Sequence, residues 1–194
     1  MSDTVDFYQE NCRRYHERTF SVDPASFLDP MIKHLTPGAG VLDVGCGSGR
    51  DLKWLKERGF AVTGFERSRG LAALARENAG CSVIEGDFEI YDFSLLQTDA
   101  LLLCGALVHV PRERFEPVLA NILHALKPGG KLLMSLKQGT GSFVGEDGRT
   151  FYNWQQPELE AVFAKHGLSV LEFHTNISMV NQRDIWLSYV LLSN

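Results

Sequence analysis

A doubly wound α/β sheet is the fold class this sequence predicts, on three observations. After residue 40, short apolar β-type runs alternate with segments whose apolar residues recur at three- and four-residue spacing. The first run, Val41-Leu42-Asp43-Val44, breaks into a glycine cluster and then into a helical pattern, as a strand does when it hands over to a helix at a ligand-binding turn. No repeat, low-complexity tract or Pro/Gly-rich linker divides the 194 residues, a length suited to one domain with a continuous core.

Taken in order, Phe7 to Arg18 and Pro24 to Leu35 read as two helices ahead of the sheet. Strands are expected near 41–44, 61–65, 82–85, 99–104, 130–136, 168–174 and 185–192. Between them, Asp51 to Arg58, Ser68 to Ala79, Glu113 to Leu126 and Pro157 to His166 have helical character; in the third, Phe115, Leu119, Ile122 and Leu126 share one face. Gly59, the Pro128-Gly129-Gly130 triplet and Gly167 read as stop signals after three of these helices. The last two strands have no helix between them, which predicts a closing hairpin.

Composition narrows the function. The chain is 44% hydrophobic and 22% charged, and no run approaches the ~20 apolar residues of a membrane span. Met1 to Asp6 is acidic and polar, without the basic and apolar parts of a secretion signal, so a cytoplasmic location is expected. The four cysteines, at 12, 46, 81 and 104, form no C-x-x-C pair, and the six histidines are dispersed; neither a disulfide framework nor a metal site is expected. A net charge of −5 without a basic tract disfavours a broad grip on nucleic acid.

Three turns carry the chemistry. Gly45, Gly47 and Gly49 let the backbone bend sharply and let a ligand lie against it, and Asp43 places a carboxylate beside them. Their spacing is G-x-G-x-G, with Arg50 where a dinucleotide fingerprint has its third small residue. The second strand ends at Glu66, 21 residues after Gly45, where an acid can accept both hydrogen bonds of a ribose diol. That geometry serves a nicotinamide cofactor and an adenosylmethionine equally well. The third strand ends in Gly86-Asp87-Phe88, a carboxylate followed by an aromatic face.

With Asp99-Ala100-Leu101-Leu102-Leu103-Cys104, the following Gly105-Ala106-Leu107-Val108-His109-Val110-Pro111 and the turn Leu126-Lys127-Pro128-Gly129-Gly130, these motifs stand in the order that resembles the class I S-adenosylmethionine-dependent methyltransferases. The resemblance covers residues 41 to 137. It implies a Rossmann-like seven-stranded sheet, mostly parallel, with an antiparallel C-terminal hairpin strand between strands five and six. It also implies a single domain over 1–194, with 1–37 as a helical lid and 38–194 as the cofactor-binding core. S-adenosyl-L-methionine is the implied cofactor. The backbone near Gly45 to Gly47 and the carbonyl at Cys104 or Gly105 would hold its methionine portion, with Cys46 a small filler of the loop; Glu66 would hold its ribose, and Asp87 and Phe88 its adenine; Asp43 and Arg67 complete the expected cofactor-binding set.

The acceptor is expected to be a small molecule, because the [N/D]-P-P-[Y/F] signature of amino-methylating nucleic-acid enzymes is replaced by Cys104-Gly105-Ala106-Leu107. His109, just past the carboxyl end of strand four, is the candidate general base, and a turn-orienting hydrogen bond is its structural alternative. Tyr15 and Arg183 are candidate acceptor contacts, and Phe151, Tyr152 and Trp154 either line an aromatic pocket or belong to the core. A nicotinamide-dependent oxidoreductase, opposed by the broken glycine register and by Asp87-Phe88, and a cofactor-binding module without catalysis stay open at this level.

Overall fold

A computed structural model describes residues 7–179 and 181–194. A helical turn over residues 7–10 precedes α1 (Cys12–Thr19) and α2 (Ala25–Ile32). There follow β1 (Gly40–Val44), α3 (Arg50–Glu57), β2 (Ala61–Glu66), α4 (Arg69–Ala79), β3 (Ser82–Glu85), β4 (Thr98–Cys104), α5 (Arg112–Leu123) and β5 (Leu126–Lys137). A short hairpin, β6 (Ser142–Val144) with β7 (Thr150–Tyr152), leads to α6 (Gln156–Lys165), β8 (Leu168–Ile177) and β9 (Ile185–Ser193). The main sheet has seven strands in the order β3-β2-β1-β4-β5-β9-β8. Pairs from β3 to β5 are parallel, whereas β9 runs antiparallel to both neighbours, β5 and β8. This is the expected architecture, including the inserted last strand.

Alternation along β4 separates the two cores. Leu101 and Leu103 join Leu42, Phe115, Leu119, Ile122 and Phe163 on one face, while Ala100 and Leu102 join Val41, Trp54, Leu133 and Val190 on the other. Leu28 and Met31 of α2 are fully buried in that second cluster, so α2 covers the sheet. α1 lies elsewhere, against α4. That contact is tight enough that a Cβ on Gly70 would come within 2.7 Å of Cys12 Sγ.

Two expectations need correction. The helix expected to reach Leu126 ends at Leu123, and Pro128-Gly129-Gly130 lies inside β5 instead of ahead of it. The reason is a bulge: Thr98 pairs with Leu126 and Ala100 already with Lys131, so the ladder captures Leu126 and loops out the residues between. Thr98 N–H donates to Ala125 O at 2.9 Å, pulling the chain into the sheet before the proline is reached. The β6–β7 hairpin has no counterpart among the expected strands; its strands are three residues each, below the length at which alternation can be read.

Gly49 marks the closest helix approach. It begins α3 with φ +84°, and an added Cβ would lie 2.8 Å from Ala75 Cα and 3.0 Å from its carbonyl oxygen in α4. Gly49→Ala combines a left-handed backbone with an overpacked contact and is expected to lower stability by about 1–3 kcal/mol, read as a reduced urea midpoint with an unchanged slope.

Candidate active site

The carboxyl ends of β1, β2 and β4 converge on a cavity of about 210 Å³. Its floor is the glycine turn after β1, where Gly45 (φ +78°) and Gly47 (φ +55°) adopt left-handed conformations. The amides of this turn are already engaged. Gly45 and Cys46 N–H donate to Phe65 O at 2.8 and 3.2 Å, Gly47 N–H to Glu66 Oε2 at 2.9 Å, and Gly49 N–H to Cys46 O at 3.0 Å. With the Gly45, Cys46, Gly47 and Gly49 N–H groups turned inward, the turn makes a poor anion nest.

Glu66 is the second component. Its Oε2 holds Gly47 N–H and its Oε1 holds Ser68 N–H, both at 2.9 Å, so one carboxylate links the β1 turn to the start of α4. Burial pushes its pKa up, against the stabilising N–H groups of Ser68, Gly47 and Arg67. Beneath the turn, burial and then the neighbouring Asp51 carboxylate push Asp43 well above the carboxylate range. The Arg50 cation opposes this only in part, its guanidinium being hydrogen-bonded to Asp51 at 2.6 and 3.1 Å. Asp43 Oδ2 is buried without a hydrogen-bond partner among the described residues.

The far wall carries a directed hydrogen-bond chain. Thr150 O can only accept, so His109 Nδ1, 2.6 Å away, carries the proton and the neutral ring offers Nε2 as an acceptor. Tyr8 hydroxyl, 3.0 Å from Nε2, donates to it and in turn accepts from Arg149 Nη1 at 2.6 Å. Burial lowers the His109 pKa to about 4; the Arg149 and Lys137 cations add to this, while the Thr150 hydrogen bond and Asp147 oppose it. Burial raises the Tyr8 phenol, with Arg149 opposing, so that phenol stays protonated and able to donate. Arg149 is fixed by Asp147 through Nη2 and Nε at 2.7 and 3.1 Å.

Of the residues expected to hold the cofactor, Gly45, Gly47, Glu66, Arg67, Phe88, Cys104 and Gly105 line this cavity, as do His109, Tyr15 and Tyr152. Tyr15 rests on Gly47, whose added Cβ would sit 3.3 Å from the ring. Asp43 and Cys46 are buried beside the cavity and do not line it; burial carries the Cys46 thiol far above its usual range, which leaves it unreactive. Asp87 sits at the rim, where Arg67 Nη1 pairs with it at 3.1 Å. Arg183 lines a separate hollow with Lys137 and Asp184. Phe151 and Trp154 belong to the core, Trp154 under the guanidinium of Arg112.

Sequence reasoning missed Tyr8 and Arg149. Tyr8 was detectable, because it precedes Tyr15 by seven residues, two turns along one helical face. Arg149 carried no comparable signal.

The residues matched by the family described as "Methyltransferase domain" are 41–130, the stretch that builds the floor and carries Glu66 and His109. Ubiquinone biosynthesis O-methyltransferase of Coxiella burnetii is 34% identical over 103 residues, 50% of this chain and 43% of that protein. Demethylmenaquinone methyltransferase of Tropheryma whipplei is 30% identical over 131 residues, 64% of this chain and 53% of that protein. The chain thus spans about half the length of these curated relatives. Among solved structures, the 1,6-didemethyltoxoflavin-N1-methyltransferase of Burkholderia thailandensis, with bound 1,6-didemethyltoxoflavin and S-adenosylhomocysteine, superimposes with a TM-score of 0.77 at 22% identity, covering 100% of this chain and 86% of that one. The fold is a seven-stranded α/β sheet with β9 wedged antiparallel beside β5 and a glycine turn backed by an acid. Residues 41–130 thus carry a methyltransferase-domain sequence match, and the whole chain shares the fold of that solved methyltransferase.

The hydrogen-bond chain makes a spectroscopic prediction. A long-range ¹⁵N–¹H correlation spectrum is expected to show His109 as the neutral Nδ1–H tautomer, protonating only as pH falls through about 4. Tyr8→Phe, which removes the donor to Nε2, is expected to cost about 1–3 kcal/mol of stability by thermal denaturation.

Proposed function

We propose that this protein transfers the methyl group of S-adenosylmethionine to a small-molecule acceptor. The observation that carries the reading is the inward commitment of the glycine-turn amides together with the acidic groups around them. A pyrophosphate needs free N–H donors at such a turn, and here those donors serve Phe65 O and Glu66. A cationic ligand without phosphate is better suited to a turn flanked by Glu66 and by the unpartnered oxygen of Asp43. This weighs against the nicotinamide alternative.

The residues fit the cofactor in detail. Glu66 would accept from the ribose hydroxyls through the lone pairs left by Gly47 and Ser68, Phe88 would cover the adenine, and the Cys104-Gly105 backbone would face the methionine portion, with Asp43 behind the glycine turn. When bound, the cofactor supplies an electrophilic methyl group on a sulfonium. The chain's own part is alignment, exclusion of water and removal of any acceptor proton. His109 is suited to the last task, since its Nε2 is unprotonated at neutral pH and its ring is locked by Thr150. As for the lid, the turn over residues 7–10 and α1 form the cover, joined to the cofactor side by Ser68 Oγ at 3.2 Å from Tyr8 O; α2 belongs to the sheet.

A cavity of about 210 Å³ favours a small acceptor over a polymer, and the curated relatives named above act, by their names, in ubiquinone biosynthesis and on demethylmenaquinone. No helix among the described residues is long and apolar enough to cross a membrane, and the four free thiols suit a reducing, cytoplasmic setting.

Calorimetric titration with S-adenosylmethionine and S-adenosylhomocysteine, with NAD as the control, tests the reading. Both are expected to bind and NAD is not; binding of NAD alone would overturn it. Glu66→Gln, which sets an amide NH₂ against one of its two N–H partners, is expected to weaken both ligands roughly 10- to 100-fold, about 1.5–3 kcal/mol. At saturating cofactor, kcat is expected to stay flat through the neutral range and to fall as pH drops through about 4, because only neutral Nε2 accepts a proton. The groups facing that ring are Tyr8, Arg149, Lys137 and Asp147.

A further inference from the structure

The phenol of Tyr8 stands where an acceptor would meet His109, and the contacts it makes there are specific. Its oxygen receives a hydrogen bond from Arg149 Nη1 at 2.6 Å and gives one to His109 Nε2 at 3.0 Å. Its ring is held edge-on to Tyr15 at 5.2 Å and to His109 at 5.7 Å. Arg149 is fixed from behind by Asp147, and His109 by Thr150 O, so neither turns to suit its partner. At about 210 Å³ the cavity is also smaller than the ~300 Å³ at which small-molecule sites begin, with Tyr8 and Tyr15 among its walls.

We propose that Tyr8 is a built-in stand-in for the acceptor, and that the place it fills, between Arg149 and His109, is a subsite for an aromatic hydroxyl. This rests on the methyltransferase reading above and adds the acceptor class to it. The two flanking groups are what a phenol needs in order to react. Arg149 donates to the oxygen and stabilises it as charge develops, while neutral Nε2 takes the proton. An aromatic amine does not satisfy the pair, because its nitrogen is a poor acceptor for a guanidinium. On transfer the O–CH₃ bond forms as the S–CH₃ bond breaks, the bonding pair stays on sulfur, and the phenolic proton resides on His109 Nε2 until it passes to solvent. In the intact chain the incoming hydroxyl takes over both hydrogen bonds as the Tyr8 side chain withdraws.

The test vacates the place and offers it a reporter. Tyr8→Ala is titrated with para-nitrophenol and with para-nitroaniline, of nearly the same shape, in the presence of S-adenosylhomocysteine, whose own binding is measured separately. Para-nitrophenol is expected to bind at least tenfold more tightly than the amine, with growth of the nitrophenolate absorbance below the free phenol's pKa. Arg149→Met in the same background is expected to abolish that preference. Wild-type protein given methyl-labelled S-adenosylmethionine is expected to label simple phenols on oxygen and to leave the matching anilines unlabelled. Equal binding of the two reporters, or binding of neither, while S-adenosylhomocysteine binds normally, would overturn the phenol subsite and leave the methyltransferase reading standing. If S-adenosylhomocysteine binds neither wild type nor variant, the methyltransferase reading fails and the subsite with it.

Discussion

Glu66 is a buried carboxylate with a hydrogen bond to each of two separate pieces of chain, Gly47 in the turn after β1 and Ser68 at the start of α4. Burying such a group is costly unless its oxygens are satisfied, and here the backbone itself satisfies them. The same two bonds fix the glycine turn against β2, and with the Phe65 carbonyl they draw the turn's amides inward. Ser68, held in this way, caps α4 through Leu71 N–H and reaches the backbone of Tyr8. One carboxylate thereby sets the shape of the turn, the start of a helix and, through Ser68, the anchoring of the N-terminal residues.

The opposite wall is organised around the ring of Phe151. Lys137 Nζ lies 4.1 Å from its centroid, Arg149 5.1 Å, the His109 ring 4.6 Å and the stacked Phe143 ring 5.1 Å. Two cations this close to an aromatic face gain from its quadrupole. Each also has a carboxylate of its own, Asp184 for Lys137 and Asp147 for Arg149, so the wall is not left with bare buried charge. A histidine packed into such surroundings loses solvation and faces positive charge, and both effects favour its neutral form. The low basicity of His109 is thus a property of the β6–β7 hairpin as much as of the turn that carries it.

What was legible in the sequence follows from how local each determinant is. The glycine turn, the acid at the end of β2 and the Gly86-Asp87-Phe88 triplet each lie within a few residues, and they appear where the motifs put them, with Asp87 drawn aside to Arg67. Leu126 to Gly130 misled because its proline and glycines are a genuine local stop signal, overruled by pairing with Thr98 from a strand 28 residues earlier. Tyr8 meets His109 across 101 residues and Arg149 across 141, and nothing in the short, partly exposed hairpin marks that meeting in advance. Arg183 is polar and near the last strand, but the Lys137–Asp184 pair holds its loop at a different hollow.

Gly105, with φ +64°, lies so close to the indole of Trp186 that an added Cβ would meet the ring at 3.2 Å. Trp186 belongs to β9, which enters the sheet between β5 and β8. The cavity wall at Gly105 is therefore finished by a strand that follows β4 in the chain by some eighty residues. Until 185–193 emerge, β5 has an open edge and Gly105 has no backing, however well β1 to β4 have already paired. A nascent chain can pair β1 to β4 and form the glycine turn early, but the wall behind Gly105 comes into being only once 185–193 have joined the sheet.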